Sequence, residues 1–451
     1  MNNLKISNSL TRSKDLFKPI NSKNITMYVC GPTVYADPHV GNGRSLIVFD
    51  LLYRVLIKLY GQKNITYVRN ITDIDDKIIK TSKTKSIPIN KVSSDVEKIF
   101  HRNVKDLNCL KPTLEPKATD HIKEMVNMIE SLIKKNLAYV NNGHVYFLIS
   151  KFKNYGRLSN KKLDDLVAGS RIEISKLKKN PLDFILWKPA LADEPGWNSP
   201  WGQGRPGWHL ECSVMSEKYL GKTFDIHGGG LDLLFPHHEN EIAQSCANNS
   251  TDVLANYWVH NGFLTMNKEK MSKSLGNIET ISEVLDKYNG QVIRLALLSS
   301  HYKQPLDWSD SLLKQSKATL EKWYELYDDA EIETDNGEIF SCLLDDLNTP
   351  KYFAKLHELY NIASKGDKTK KVMFNDACRL IGIFNQKKVV LDKQKQDASS
   401  IDKKYILQKI EERIKARKTG NFKLADKIRD ELSENGIEIK DNNNRTDWEY
   451  K

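Results

Sequence analysis

The stretch "ITMYVCGPTVYADPHVGNGRSLIVFDLLYRVLIKLYG" limits the fold more than any other part of the chain. It opens with a β-rich run, Ile25 to Cys30. A Gly/Pro turn follows, and from about Arg44 to Tyr60 apolar residues recur with helical spacing. "NITYVRNITDIDDKIIK" then supplies a second strand, at about Ile65 to Asn70. Strand, loop, helix and strand in that order predict a parallel α/β unit.

A chain of 451 residues is too long for one core, so two or three domains are expected. Ile122, Met125, Ile129 and Ile133 share one helical face. Residues 140–200 are short-stranded and turn-rich and read as an insertion in the sheet, and the α/β pattern resumes near Thr223. After Trp308 long amphipathic helices take over, as in "SLLKQSKATLEKWYELYDDA", so a helical domain is expected from about 311. "QKKVVLDKQKQDASSIDKK" reads as a linker to a last helical segment.

Lys plus Arg total 69 against 58 Asp plus Glu, a formal charge of +11 that is compatible with a polyanionic partner but also with a compositional bias towards Lys. The N-terminus has no continuous apolar region, so no secretory signal is expected, and no run reaches the ~18–20 apolar residues of a membrane span. The six cysteines are scattered without a CxxC pair, which points to reduced thiols and a cytoplasmic protein.

Two motifs bear on nucleotides. In "PHVGNGR", His39 and Asn42 stand at i and i+3 where loop turns into helix, so both can face one ligand. A helix N-terminus offers unpaired N–H groups and partial positive charge, and Gly41 and Gly43 let a ligand approach. In "KEKMSKSLGN", Lys270 and Lys273 accompany Ser272 and Ser274, a set suited to charge on a leaving pyrophosphate. Cys30, Cys212 and "PHHENE" offer a metal set. His237 and Glu241 stand at i and i+4 on one helix face, with His238 at i+3 a less aligned substitute for His237. Two thiolates, an imidazole and a carboxylate suit Zn²⁺, although the same residues allow buried thiols with hydrogen-bonded histidines.

"HVGN" and "KMSKS" resemble the two signatures of class I aminoacyl-tRNA synthetases, with Val40 and Asn42 departing from His-Ile-Gly-His. "MYVCGPTVY", "YVRNITDIDDKII", "GRPGWHLECS", "FDIHGGGLDLLFPHHENEIAQS" and "EKMSKSLGN" resemble successive blocks of the cysteinyl-tRNA synthetase family. The resemblance implies an α/β, Rossmann-like parallel-sheet catalytic domain at 1–310 with an insertion at about 112–200. A helical bundle at 311–390 and an anticodon-binding domain at 400–451 would follow. It implies one zinc ion on Cys30, Cys212, His237 and Glu241 that binds the substrate thiolate directly. Soft zinc prefers sulfur to a hydroxyl, so one metal contact can reject serine where a hydrophobic pocket gives only ~10².

The resemblance further places Gly31, Thr72, Trp208 and His227 around the cysteine substrate. It assigns ATP, carried with Mg²⁺, to His39, Gly41, Asn42, Gly230, Asp232 and Lys273, with Gly228–Gly230 approaching the adenosine. His39, Asn42, Lys270 and Lys273 would stabilise phosphate charge while cysteinyl-adenylate forms and cysteine passes to the 3′ end of tRNA(Cys). At the C-terminal end, Ile406, Ile410 and Ile414 leave Arg413, Lys415, Arg417 and Lys418 for RNA. Phe422 stands where the family tends to have an aromatic, and Arg417, Asp426 and Asp441 match positions implicated in anticodon contact. The family's Gly-Thr-x-Trp reads "RTDW", with Arg445 for glycine. Monomer is the family-level expectation. The alternatives are a paralogous ligase joining cysteine to an amino-sugar, which lacks the anticodon end, and a non-catalytic zinc-containing RNA-binding protein, which has no need of "HVGN" or "KMSKS".

Overall fold

In the computed structural model, Ile25–Val29 (β1) is buried along its whole length, as a strand covered on both faces requires. It pairs in parallel with Ile65–Arg69 (β2) on one side and Phe224–Gly230 (β3) on the other. Ala255–Asn261 (β4) joins β3, also in parallel, giving the order β4–β3–β1–β2. Helix Val40–Tyr60 (α1) carries the chain from β1 to β2. Its Phe49 ring occupies the place a Cβ would take at Gly228, so the first of the three consecutive glycines lets helix and sheet meet. The structure describes residues 3–160, 177–271, 276–330, 332–334, 336–385, 387, 403–442 and 445–450.

The short strands within 138–206 do not enter the parallel sheet. Ala138–Asn141, His144–Phe147, Phe184–Pro189 and Gly204–Pro206 form an antiparallel sheet of their own. Their buried residues nevertheless share a core with the parallel sheet: Phe147, Leu186 and Trp187 cluster with Tyr28 and Val68, and with Leu210 and Met215 of helix Trp208–Leu220 (α2). Arg205 adds ion pairs of 2.7 Å to Asp76 and Glu194.

The chain divides into two compact units, one of Met1–Leu326 with Glu331–Ile383, the other of Tyr327–Ala330 with Phe384–Lys451. The helices after Trp308, including Asp310–Tyr324 and Thr349–Ala363, therefore share the first unit with the sheet. Two buried polar knots explain this. Asp346 accepts from the Ser7 N–H at 2.7 Å, the Ser7 hydroxyl at 2.6 Å and the Tyr302 hydroxyl at 2.7 Å. Arg294 is fully buried, pairs with Asp50 of α1, and donates to the carbonyls of Leu107, Asn108 and Ile381.

Within the second unit, helices Lys403–Lys418 and Phe422–Glu434 pack with the hairpin Ile437–Asn442 and Arg445–Tyr450. Ile406, Ile410, Ile428, Leu432, Ile437 and Ile439 form its core. Among the described residues no helix is long and apolar enough to cross a membrane.

Burial alone would raise the Asp50 carboxyl, but Arg294 and Arg54 outweigh it and hold it below the usual range. Its stabilisation is therefore complete above the unfolded-state pKa of ~3.9 and is lost as pH falls through the lower folded value. Asp50→Asn leaves Arg294 buried without its counter-charge and should cost about 3–5 kcal/mol in urea denaturation at pH 7, with a flatter pH dependence below pH 4.

Candidate metal centre and active site

The C-terminal ends of the parallel strands carry the chemistry, where open α/β sheets place their ligands. Cys30 follows β1, the three glycines close β3, and His260 lies near the end of β4. α2 supplies Trp208, Glu211 and Cys212, and helix Glu239–Asn249 (α3) supplies Glu241.

Cys30 Sγ lies 3.7 Å from Cys212 Sγ and 3.5 Å from Glu241 Oε1. His237 Nε2 lies 3.0 Å from the same Glu241 oxygen. One donor atom from each of these four residues falls within 4.8 Å of every other, so the four sequence-predicted ligands meet. His237 Nε2 is buried and makes no aligned hydrogen bond. A buried imidazole nitrogen beside a carboxylate oxygen without an aligned hydrogen bond is an arrangement that a bound cation satisfies. Two sulfurs, a nitrogen and an oxygen suit a soft or borderline divalent ion such as zinc.

A second set, Cys30, His227, His238 and Glu241, is equally tight and shares two members with the first. It contains one sulfur rather than two, which favours the first set for a soft ion. His238 instead joins a ring relay: its Nδ1 lies 2.8 Å from His260 Nε2, and His260 Nδ1 lies 2.7 Å from Ser9 Oγ.

The first set is electrostatically polarised. Burial opposes ionisation of Cys212, yet the Cys30 S–H and His237 bring its thiol down to about 6. Burial, Cys212 and Glu241 push the Cys30 thiol up. Burial would lower His237, but Glu241 and Cys212 outweigh it and raise the ring to about 10. Against burial, His227 and His237 hold the Glu241 carboxyl well below the usual range.

The four residues expected around a substrate border this cluster. Gly31 donates its N–H to Asn70 Oδ1 at 2.8 Å, and a Cβ there would collide with the Asn70 carbonyl. Trp208 stacks on His237 with ring centroids 4.2 Å apart. His227 Nε2 lies 2.8 Å from Glu241 Oε2, and its ring stacks on Trp258 at 4.4 Å. Asn70 Nδ2 donates to Thr72 Oγ1 at 3.2 Å, which donates to Glu211 Oε2 at 2.9 Å. Asn70 and Glu211 escaped sequence reasoning. The signal for Glu211 was its i, i+3 spacing from Trp208, one position before Cys212 on the same helix face.

The two nucleotide motifs also come together. The ring of His39 and the Met271 methyl both lie 2.9 Å from where a Cβ of Gly41 would stand. Residues 38–40 pair with 279–281, just after the lysine-rich motif: the Val40 N–H donates to the Glu279 carbonyl and the Ile281 N–H to the Pro38 carbonyl. His39 and Asn42 cap α1 reciprocally. His39 Nδ1 accepts from the Asn42 N–H at 3.3 Å, and Asn42 Oδ1 accepts from the His39 N–H at 3.0 Å. Lys270 lies in the short strand Glu269–Lys270, whereas Lys273 lies outside the described residues. Gly230 ends β3 against the Asp232 carboxylate, which projects from the turn Leu231–Leu233. The triple glycine is thus paired strand with close neighbours rather than a free turn.

The family model for the "tRNA synthetases class I (C) catalytic domain" matches residues 16–318, a span that holds the metal set and both nucleotide motifs. The cysteine–tRNA ligase of Pelagibacter ubique is 54% identical over 450 residues, 99% of each chain. That of Rickettsia bellii is 47% identical over 97% of each chain. The chain belongs to the cysteine–tRNA ligase family of class I synthetases. Among solved structures, Mycobacterium tuberculosis methionyl-tRNA synthetase in complex with methionyl-adenylate superposes with a TM-score of 0.56 at 12% identity, covering 80% of this chain and 89% of that one. Agrobacterium radiobacter LeuRS, in a ternary complex with tRNA and LeuAMS, gives 0.56 at 10% identity over 81% and 83%. At these identities the likeness is one of fold.

The C-terminal residues singled out for RNA contact lie beyond the family model's match. Arg413 is buried and grips Asp441 through two bonds of 2.8 and 2.7 Å, so it is not among the basic groups presented to solvent. Arg417 also reaches Asp441, at 2.7 Å, and remains exposed with Lys415, Lys418 and Asp426. Phe422 is 63% exposed at the start of its helix. Arg445 opens the last strand, paired through its backbone with Asn442.

For this family member, the reciprocal cap gives the first signature a structural share in addition to any ligand role. Asn42→Ala removes one arm of the capping box and should cost roughly 0.5–2 kcal/mol in urea denaturation.

Proposed function

We infer that this protein joins L-cysteine to the 3′ end of tRNA(Cys), through cysteinyl-adenylate formed from ATP with release of pyrophosphate. The observation that carries the reading is the cluster of Cys30, Cys212, His237 and Glu241 at the C-terminal ends of the parallel strands. Zinc held by those four residues would supply a sulfur-selective contact, distinguishing the cysteine thiolate from the serine hydroxyl.

The remaining work falls to the chain's own groups. Gly31, Thr72, Trp208 and His227 shape the cysteine pocket around that contact. Trp208, stacked on His237, covers the imidazole from solvent. The N-terminus of α1 offers backbone N–H groups and partial positive charge to the phosphates of Mg·ATP, with His39, Gly41 and Asn42 in its first turn. Gly230 and Asp232 face the adenosine, the carboxylate suiting a ribose hydroxyl. Lys270 and Lys273 stabilise the charge that develops on the departing pyrophosphate. No covalent enzyme intermediate is needed, so the rate comes from positioning and electrostatics.

The second unit is assigned to the anticodon. Its exposed Lys415, Arg417 and Lys418 suit phosphates, and the exposed ring of Phe422 suits an unstacked base. We read the functional domains as a catalytic part at 1–310, a helical part at 311–390 and an anticodon part at 400–451, acting as a cytoplasmic monomer.

Cysteine-dependent exchange of pyrophosphate into ATP should be observed, and its absence would sink the reading. Charging of tRNA(Cys) rather than of an amino-sugar acceptor then separates this ligase from its sugar-joining paralogue. Cys212→Ser should lose zinc and cysteine affinity together, measured by metal analysis and calorimetry; an unchanged zinc content would refute the ligand assignment.

A further inference from the structure

Glu211 is a buried carboxylate without a cation. It is 1% exposed and forms no ion pair among the described residues. Its one hydrogen bond there is the 2.9 Å bond that Oε2 accepts from the Thr72 hydroxyl, so Oε1 has no donor. A buried carboxyl oxygen without a donor is costly to leave unpaired.

Its position shows what could pair with it. Trp208, Glu211 and Cys212 stand at i, i+3 and i+4 along α2, on one helix face. Trp208 lies on His237, and Cys212 Sγ belongs to the metal set. On its other side Glu211 ends a hydrogen-bond chain from the Gly31 N–H through Asn70 and Thr72. Glu211 is therefore bracketed by the residues assigned to the cysteine pocket.

We propose that Glu211 receives the α-ammonium group of the amino-acid substrate, with Thr72 fixing the carboxylate for it. The assignment rests on the reading of this pocket as a cysteine site. An incoming ammonium meets the oxygen that lacks a donor and supplies the missing positive charge. The sulfur contact selects the thiol, and Glu211 adds the requirement for an amine, so thiols without one are discriminated against.

The test compares L-cysteine with 3-mercaptopropionate, which keeps thiol and carboxylate but lacks the amine, by calorimetry on the zinc-loaded full chain. The wild type should bind cysteine at least about tenfold more tightly, the scale of one charge-assisted hydrogen bond. In Glu211→Gln the two affinities should converge to within about threefold, through weaker cysteine binding alone, at unchanged zinc content. Equal weakening of both thiols would reveal a merely structural role and overturn the assignment, as would a preference that survives the substitution. Equal binding of both by the wild type would also overturn it while leaving the cysteine reading intact. Binding of neither would overturn the cysteine reading and this assignment with it. If Glu211→Gln loses its metal, Glu211→Asp and Thr72→Val are read in the same way. Each should narrow the preference, and an unchanged preference in both overturns the proposal.

Discussion

Gathering two thiols, an imidazole and a carboxylate within 4.8 Å of one another, all buried but the half-buried Cys30, is the constraint on which the rest of the structure depends. In water such groups would ionise independently. Packed together out of water, they shift one another's protonation in opposite directions: Cys212 down, Cys30 up, His237 up and Glu241 down. Such a cluster is tolerable only if its charges are matched. A divalent cation would match them all at once, so these four residues could hold a metal ion.

Helix α1 is the element that connects this centre to the rest of the first unit. Its N-terminus is held by His39 and Asn42, its first turn lies against residues 279–281, and Phe49 fits against Gly228 of β3. At the next residue, Asp50 engages Arg294, which reaches the carbonyls of Leu107, Asn108 and Ile381. A single helix thus bears the nucleotide signature at one end and anchors the later helices near its middle. That buried pair also explains why the helices after Trp308 join the first unit, a consequence of side chains far apart in sequence that helical periodicity alone does not express.

The legible features were those written in local pattern. The strand Ile25–Val29, the helix that follows and the i, i+4 placement of His237 and Glu241 all depend on residues close in sequence. The meeting of Cys30 and Cys212 is not local, and it was expected because whole blocks resemble a known family. What escaped the sequence were features decided by partners that spacing does not specify. The four short strands within 138–206 have ordinary patterns, yet they form a separate sheet whose residues add to the core around Tyr28. Arg413 resembles its solvent-facing neighbours on an amphipathic helix, but the Asp441 carboxylate on the hairpin draws it inward. Three glycines in a row do not show in sequence that the Phe49, His238 and Asp232 side chains stand where their Cβ atoms would be.

Such close contacts explain how residues from distant segments hold one geometry. Tyr28 and His227 are register partners in neighbouring strands, so the spacing of β1 and β3 fixes Cys30 relative to His227. Gly31 abuts the Asn70 carbonyl, and Gly207 abuts the carbonyl of Ile185 just before α2 begins. Each joint leaves no room for a methyl group, and each stands within a residue of a cluster or pocket side chain, Cys30 or Trp208. The site is therefore positioned by backbone packing, which restricts its side chains before any ligand arrives and spares binding the cost of ordering them. A methyl group at Gly31 or Gly207 would act through geometry alone, moving Cys30 or Trp208 without removing a single functional atom.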